Sequence, residues 1–504
     1  MSYGEKSLGS HFSIFIYPFF HPIKDDLIEN VSPRIYEKWD SWICRLKDKD
    51  QIINALDSTY FYLPFIKNIL FPEFRDLNHK NPSIDKILKK KKTLQESNVL
   101  NKHKVSNNIY KNSKIVHLTL NEDILNSISK FEIYDSKKTD SLRANFEWID
   151  LVLFSQGIGF ILLKTKLDKS NNNISNLFEL NDKFSIIEKP FLDFVLPNLR
   201  IKSKTELINT KLLLKFLLEE VLKEKSMEYL NNETASIYGE HFYLYSYGSI
   251  SIDETDTEAD PDYLKNRLYE YATNAKFGSS VTKECTSVPS DNWKEEVLKN
   301  RISLWSNWSG VALKKQIVFL ANTNDVFTQN YLPNNLEYDY LSMYVLALYQ
   351  KIRLYNYNEN IIRNELKVRD RYKAILKLHE SFVEFKNYFW FYEITKKPQG
   401  IYLFDKISKA LDTKPSFELV SSEIKELSSY YETKISNKIK NLLNIITFVL
   451  TPIAMINGIF HAKIYSLNWV DIHPNWLLLV YVSSFVLLIY LCIHLYYKKR
   501  NKYA

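Results

Sequence analysis

Along the first 325 residues the hydrophobic positions recur mainly in short runs. HFSIFIYPFF (11–20) and FYLPFI (61–66) are aromatic and β-branched, and HFYLYSYGSI (241–250) and QIVFLA (316–321) have the same character, so each predicts a strand. IDLVLFSQGIGFILLKTKL (149–167) reads as two strands about a Gln156-Gly157-Ile158-Gly159 turn. Between these, TELINTKLLLKFLLEEVLKE (205–224) is helical in period with apolar residues on more than one face, which predicts a largely buried helix. The mixture implies an α/β or α+β domain over residues 1–325, with α+β the fold class expected.

From about Leu336 the pattern becomes helical. Leu341, Tyr344, Val345, Leu348 and Ile352 share one face, a second helix is expected over 361–392, and KKPQG (396–400) breaks the run before a short helix. After Pro415, Val420, Ile424, Leu427, Tyr431 and Ile435 recur at steps of 4, 3, 4 and 4, a near-heptad seam. Residues 326–440 are therefore expected to form a helical stalk region.

Two apolar runs follow, at 442–460 and 476–497, each long enough to cross about 30 Å of hydrocarbon as a helix. They predict a transmembrane domain over 441–504. Lys434, Lys438 and Lys440 precede the first run, and Lys498, Lys499, Arg500 and Lys502 follow the second. That bias predicts a two-span protein of the inner (cell) membrane with both termini cytoplasmic. The first run also carries Lys440, Asn444, Thr447, Thr451, Ala454, Gly458 and His461 at steps of 4, 3, 4, 3, 4 and 3, one polar-or-small stripe on one helical face. Such a stripe suits a water-filled path or helix–helix packing.

Composition changes this picture little. The 504 residues are 45% hydrophobic and 25% charged, and a formal charge of +8 over such a length is not the footprint of a nucleic-acid binder. Cys44, Cys285 and Cys492 are far apart, which argues against a disulfide framework or zinc site. The basic and Asn-rich stretch 86–113 reads as a solvated loop, with anionic lipid or nucleic acid as the alternative contact. DETDTEADPD (253–262) reads as an acidic loop, because Glu258 stands where an EF-hand needs glycine. Gly157-Ile158-Gly159 lacks the third glycine of a dinucleotide fingerprint. No nucleophile–base grouping is legible, and the chain is not expected to be an enzyme.

A stalk, two terminal spans, Gly458-Ile459-Phe460 with Pro452 six residues earlier, and the Lys498-Lys499-Arg500 tail together resemble the CorA-type divalent-metal transporters. The resemblance covers roughly residues 385–502. It implies a funnel-shaped homopentamer in which Asn444, Thr447, Thr451, Ala454 and Gly458 line an axial pore. The family's Gly-Met-Asn filter is replaced at the pore mouth by His461, Ala462 and Lys463. Five ammonium groups do not accept contacts from a hydrated cation, so magnesium selectivity is not carried over, although a divalent cation (Mg) remains the one cofactor implied. The enlarged N-terminal part and missing filter also look like the CorA-like membrane effectors that accompany type III CRISPR systems in antiviral defence. That likeness implies an ion channel gated by a ligand on the cytosolic domain, such as a nucleotide second messenger. The alternatives are a divalent-cation transporter of relaxed selectivity and a non-conducting membrane-anchored sensor or scaffold. Expected partners are copies of the chain, the lipid bilayer and the messenger, with no direct nucleic acid.

Overall fold

A computed structural model describes residues 6–24, 33–75, 84–134, 142–187, 193–195, 210–219, 221, 241–252, 262–274, 290–367 and 371–466. The chain divides into two units, Met1–Ser422 and Glu423–Ala504.

The first unit is built on a sheet of eleven described strands: β1 (Leu8–Lys24), β2 (Trp39–Ser41), β3 (Ile115–Leu120), β4 (Lys130–Tyr134), β5 (Leu142–Phe154), β6 (Gln156–Leu167), β7 (Asp193–Val195), β8 (Tyr243–Ile250), β9 (Arg301–Ile302), β10 (Trp308–Ala312) and β11 (Gln316–Asn322). Their order is β2-β3-β5-β6-β1-β8-β11-β10-β9, with β4 paired to β5 and β7. Only the β8–β11 pair is parallel. The helices used below are α1 (Lys49–Thr59), α2 (Pro64–Leu70), α3 (Ile84–Glu96), α4 (Val99–Tyr110), α5 (Ile174–Phe184), α6 (Thr210–Leu218), α7 (Tyr263–Thr273), α8 (Leu341–Lys367), α9 (Arg371–Phe389), α10 (Pro398–Ala410) and α11 (Thr413–Ser466).

Strand side chains alternate faces, so the central strands sort their residues into two sets. Phe15 and Tyr17 of β1, Ile149 and Leu151 of β5, and Ile161 and Leu163 of β6 join one core cluster with Leu177, Leu180 and Phe184 of α5. On the opposite face lie Phe12, His117, Trp148, Asp150, Lys164 and Tyr245. Against this second face packs the segment leading into α8. The Tyr245 hydroxyl donates to Leu336 O at 2.7 Å, and the Tyr349 ring stacks on Phe154 at 4.0 Å. The β5–β6 turn is made by Gly157 at φ +82°, a conformation glycine adopts without strain.

The α+β expectation therefore holds for the first unit, and the strands expected at 11–20, 149–167, 241–250 and 316–321 are all present. Of the 205–224 helix, the described part is α6, which is largely buried. Three expectations about these elements are corrected. Residues 61–66 are not a strand: Pro64 opens α2, in the helical first turn where its missing N–H costs nothing. The 86–113 stretch is not a loop but α3 and α4, because Ile87 and Leu94 bury one face of α3 while Lys86, Lys89 and Lys92 stay exposed. The helix expected over 361–392 is divided between α8 and α9.

The largest correction concerns the membrane. Among the described residues no helix is long and apolar enough to cross one. The pair of transmembrane helices, the funnel built on them, and the placement in the inner membrane with both termini cytoplasmic are therefore not found. The first expected span lies within α11, where its described apolar side chains alternate with Asn444, Thr447 and Thr451. The second, 476–497, lies outside the described residues, as do the basic tail and residues 253–261 of the acidic stretch.

Candidate ligand-binding cleft

Asp150 of β5 and Lys164 of β6 are buried ionisable residues, and their neighbours explain how they are tolerated. Trp148 is in register with Lys164, and a bulge lies between Phe146 and Trp148. The bulge lets both Glu147 and Trp148 reach the same side of the sheet, which a regular strand forbids. Lys164 Nζ is 2.7 Å from Glu147 Oε2 and 2.7 Å from Glu337 Oε2. Glu337 comes from Leu336–Tyr340, a widened π-type turn just before α8. Its Oε1 accepts from Trp148 Nε1 at 2.9 Å and faces Arg45 at 3.4 Å.

Arg45 ends the 3-10 turn Trp42–Arg45 that follows β2. Its guanidinium donates to Asp150 Oδ2 at 2.6 Å and lies 4.2 Å from the centre of the Trp148 ring. His117 Nε2 is 3.0 Å from the same carboxylate oxygen. Burial opposes ionisation of Asp150, but Arg45 and His117 outweigh it and hold the carboxyl below its ordinary range. Glu337 is likewise held low, with Lys164 and Arg45 overcoming burial. Lys164 is held above the usual lysine value, because Glu337 and Glu147 overcome its own burial. The result is two cations and three carboxylates beneath a cleft of about 820 Å³. That volume is within the range of small-molecule pockets.

Lys47, Gln51 and Asn54 form one wall of the cleft and Lys91 and Gln95 of α3 another. Lys91 is tethered by donating to Leu46 O. Cys44 also lines the cleft, but burial pushes its thiol up to about 12, so it is no thiolate nucleophile at neutral pH. Behind Arg45 is a smaller cavity of about 50 Å³ that shares Arg45, Glu337 and Tyr338 with the cleft. Asp150 Oδ1 and Trp42 Nε1, from residues lining it, are buried without a hydrogen bond of ordinary geometry, although Thr119 helps hold the carboxylate ionised.

Two residues beyond Glu337 the same turn carries a carboxyl of opposite tendency. Burial, with Asp57 adding to it against Lys397, raises Asp339 to about 7. A raised carboxyl destabilises the fold once ionised, so this penalty is absent below the unfolded value of about 4 and grows as pH rises towards 7. Asp339→Asn is therefore expected to stabilise the protein by about 2–4 kcal/mol at pH 8 and to make no difference at pH 4. Denaturant titrations of both proteins across that range measure the difference.

The sequence-derived candidates lie elsewhere. Asn444, Thr447, Thr451, Ala454 and Gly458 do share one α11 helix, and the first four are exposed. His461, Ala462 and Lys463 continue the same helix in backbone. All eight belong to the second unit, whereas every cleft residue belongs to the first. Among the described residues no group of three or more His, Cys, Asp or Glu is placed to hold a metal. The cleft residues were missed, although a charge set within an apolar run, such as Asp150 in IDLVLF, is a legible signal of a buried network.

The chain matches no protein-family model, and no curated protein matches it. The resemblance to CorA-type transporters accordingly rests on the sequence motifs alone.

Proposed function

We propose that the first unit is a ligand sensor whose cleft takes a small polar ligand of the nucleotide class, and that occupancy acts on the turn carrying Glu337. The supporting observation is the buried ion network on the cleft floor. Burying Arg45, Asp150, Lys164 and Glu337 gives little net stability compared with apolar packing, so their placement beside an 820 Å³ cleft favours a role in recognition. Lys47 and Lys91 suit a phosphate, and Gln51, Asn54 and Gln95 suit the hydrogen-bonding edge of a base or sugar. A ligand group competing for Arg45 or Lys164 loosens their hold on Glu337, and Glu337 leads directly into α8.

Calorimetric titration of the full chain with a panel of linear and cyclic nucleotides tests this. One member is expected to bind, and Lys91→Gln and Gln95→Ala to weaken it about tenfold each while leaving the unliganded melting temperature in place. The reading fails if no member binds at millimolar concentration, or if binding ignores both substitutions.

A second reading concerns assembly. We propose that α11 associates with copies of itself through an apolar stripe at Ile439, Leu442 and Ile446. Its support is the exposure of Ile439, Leu442 and Ile446 at helical spacing within the second unit.

A further inference from the structure

Adjacent residues on a helix point about 100° apart, so the lysine run of α3 serves two different surfaces. Lys91 lines the cleft above, whereas Lys90 lines a second one of about 530 Å³. The second cleft is bounded by Arg75, Lys90 and Lys111, by Asn108 and Asn112, and by an apolar wall that includes Ile109. Three cations and no carboxylate face it, and among the described residues none of the three is in an ion pair with a carboxylate. Arg75 is held in place, donating to Lys111 O at 3.2 Å and Ser113 Oγ at 2.9 Å. A guanidinium has five N–H donors, so the fork keeps donors for an incoming oxyanion. Behind the cleft Glu73 is buried, its Oε1 accepts from the Tyr110 hydroxyl at 2.7 Å, and burial raises it against the pull of His117, Tyr110 and Lys90.

We infer that this second cleft is a binding site for a small phosphorylated molecule. Arg75 grips the phosphoryl oxygens in a fork, Lys90 and Lys111 supply the balancing charge, and the wall at Ile109 receives the rest of the ligand. The site stands on its own residues and is separate from the nucleotide-class cleft.

Titrating the full chain with inorganic pyrophosphate at about 0.15 M salt, where exposed long-range charge is largely screened, tests the inference. Saturable binding is expected, weakened about tenfold or more by Arg75→Gln and by the pair Lys90→Gln and Lys111→Gln. The matched removal of Lys86, Lys89 and Lys92 as glutamines, all exposed on the same helix, is expected to change it less than about twofold. Arg75 and Lys111 are themselves exposed, so melting temperatures are expected to hold, and the lysine pair carries the test if Arg75→Gln does not fold. Equal losses from the control would mean diffuse attraction and would overturn the site, as would no binding at millimolar pyrophosphate. Tighter displacement by a single-stranded oligonucleotide with a steep salt dependence would overturn it in favour of a nucleic-acid surface.

Discussion

Asp150→Ala is expected to lower the unfolding free energy of the first unit by about 3–5 kcal/mol, the usual cost of stranding a buried charge. The Asp150 side chain is 1% exposed and Arg45 9%, so neither is rescued by solvent when its partner goes. What remains to Arg45 is Glu337 at 3.4 Å, already shared with Lys164 and Trp148. The penalty comes from the unpaired charge rather than from the lost contact, and a second variant separates the two. Arg45→Met with Asp150→Leu removes both charges, and it is expected to recover most of the loss. The pH dependence has a definite sign. Asp150 and Glu337 are both held below their unfolded values of about 4, so their contribution is complete above that pH. It is lost as pH falls through the lower folded values, so the wild type is expected to weaken more steeply below about pH 4 than Asp150→Ala. Denaturant unfolding at several pH values measures both effects. A cost below about 1 kcal/mol for Asp150→Ala, or a double variant no better than the single, would show that the network is not a coupled unit.

Much of the sheet was legible because β1, the β5–β6 pair, β8 and β11 are dense in aromatic and β-branched residues and bounded by turn residues. The errors have identifiable causes. FYLPFI has strand composition, yet Pro64 suits a helical first turn and α2 forms there. In α3 only Ile87 and Leu94 are buried, so a helix held by two apolar contacts reads as a charged loop. The 442–460 run meets a span's length and average apolarity, yet polar or small residues recur in it at every third or fourth place. The cleft was half visible. Asp150 and Lys164 stand out within their strands, but their partners Arg45 and Glu337 lie 105 and 173 positions away along the chain. Only the fold brings such pairs together. Periodicity identifies a face of a strand, not which distant turn will cover it.

The second large effect concerns α11. Ile424, Leu427, Tyr431, Ile435, Ile439, Leu442 and Ile446 recur at steps of 3, 4, 4, 4, 3 and 4, and of these Ile424 is already buried in the single chain. The mean step is close to that of an eleven-residue repeat, about 3.67 residues, which winds helices gently to the right rather than to the left as heptads do. Ile439, Leu442 and Ile446 are 54%, 58% and 41% exposed in the single chain, and Thr433, Asn437 and Lys440 lie on the opposite side of the helix. Glu432 flanks the stripe on one side and Lys434 and Lys438 on the other, so copies set side by side in parallel bring unlike charges together. A second copy of this helix fits both the stripe and its flanks. The full chain is therefore expected to sediment as an oligomer at micromolar concentration. Placing Asp at Ile439 and Leu442 removes two aliphatic side chains from that seam, each contributing about 1.5–3 kcal/mol when buried. On the order of 4 kcal/mol per copy corresponds to about a thousandfold in association, enough to leave the protein monomeric. Thr433→Asp, on the opposite side, is expected to leave the mass unchanged. Sedimentation or light scattering reads all three proteins directly. A monomeric wild type at tens of micromolar, or an Ile439/Leu442 variant that keeps the wild-type mass, would rule the stripe out as the self-association surface.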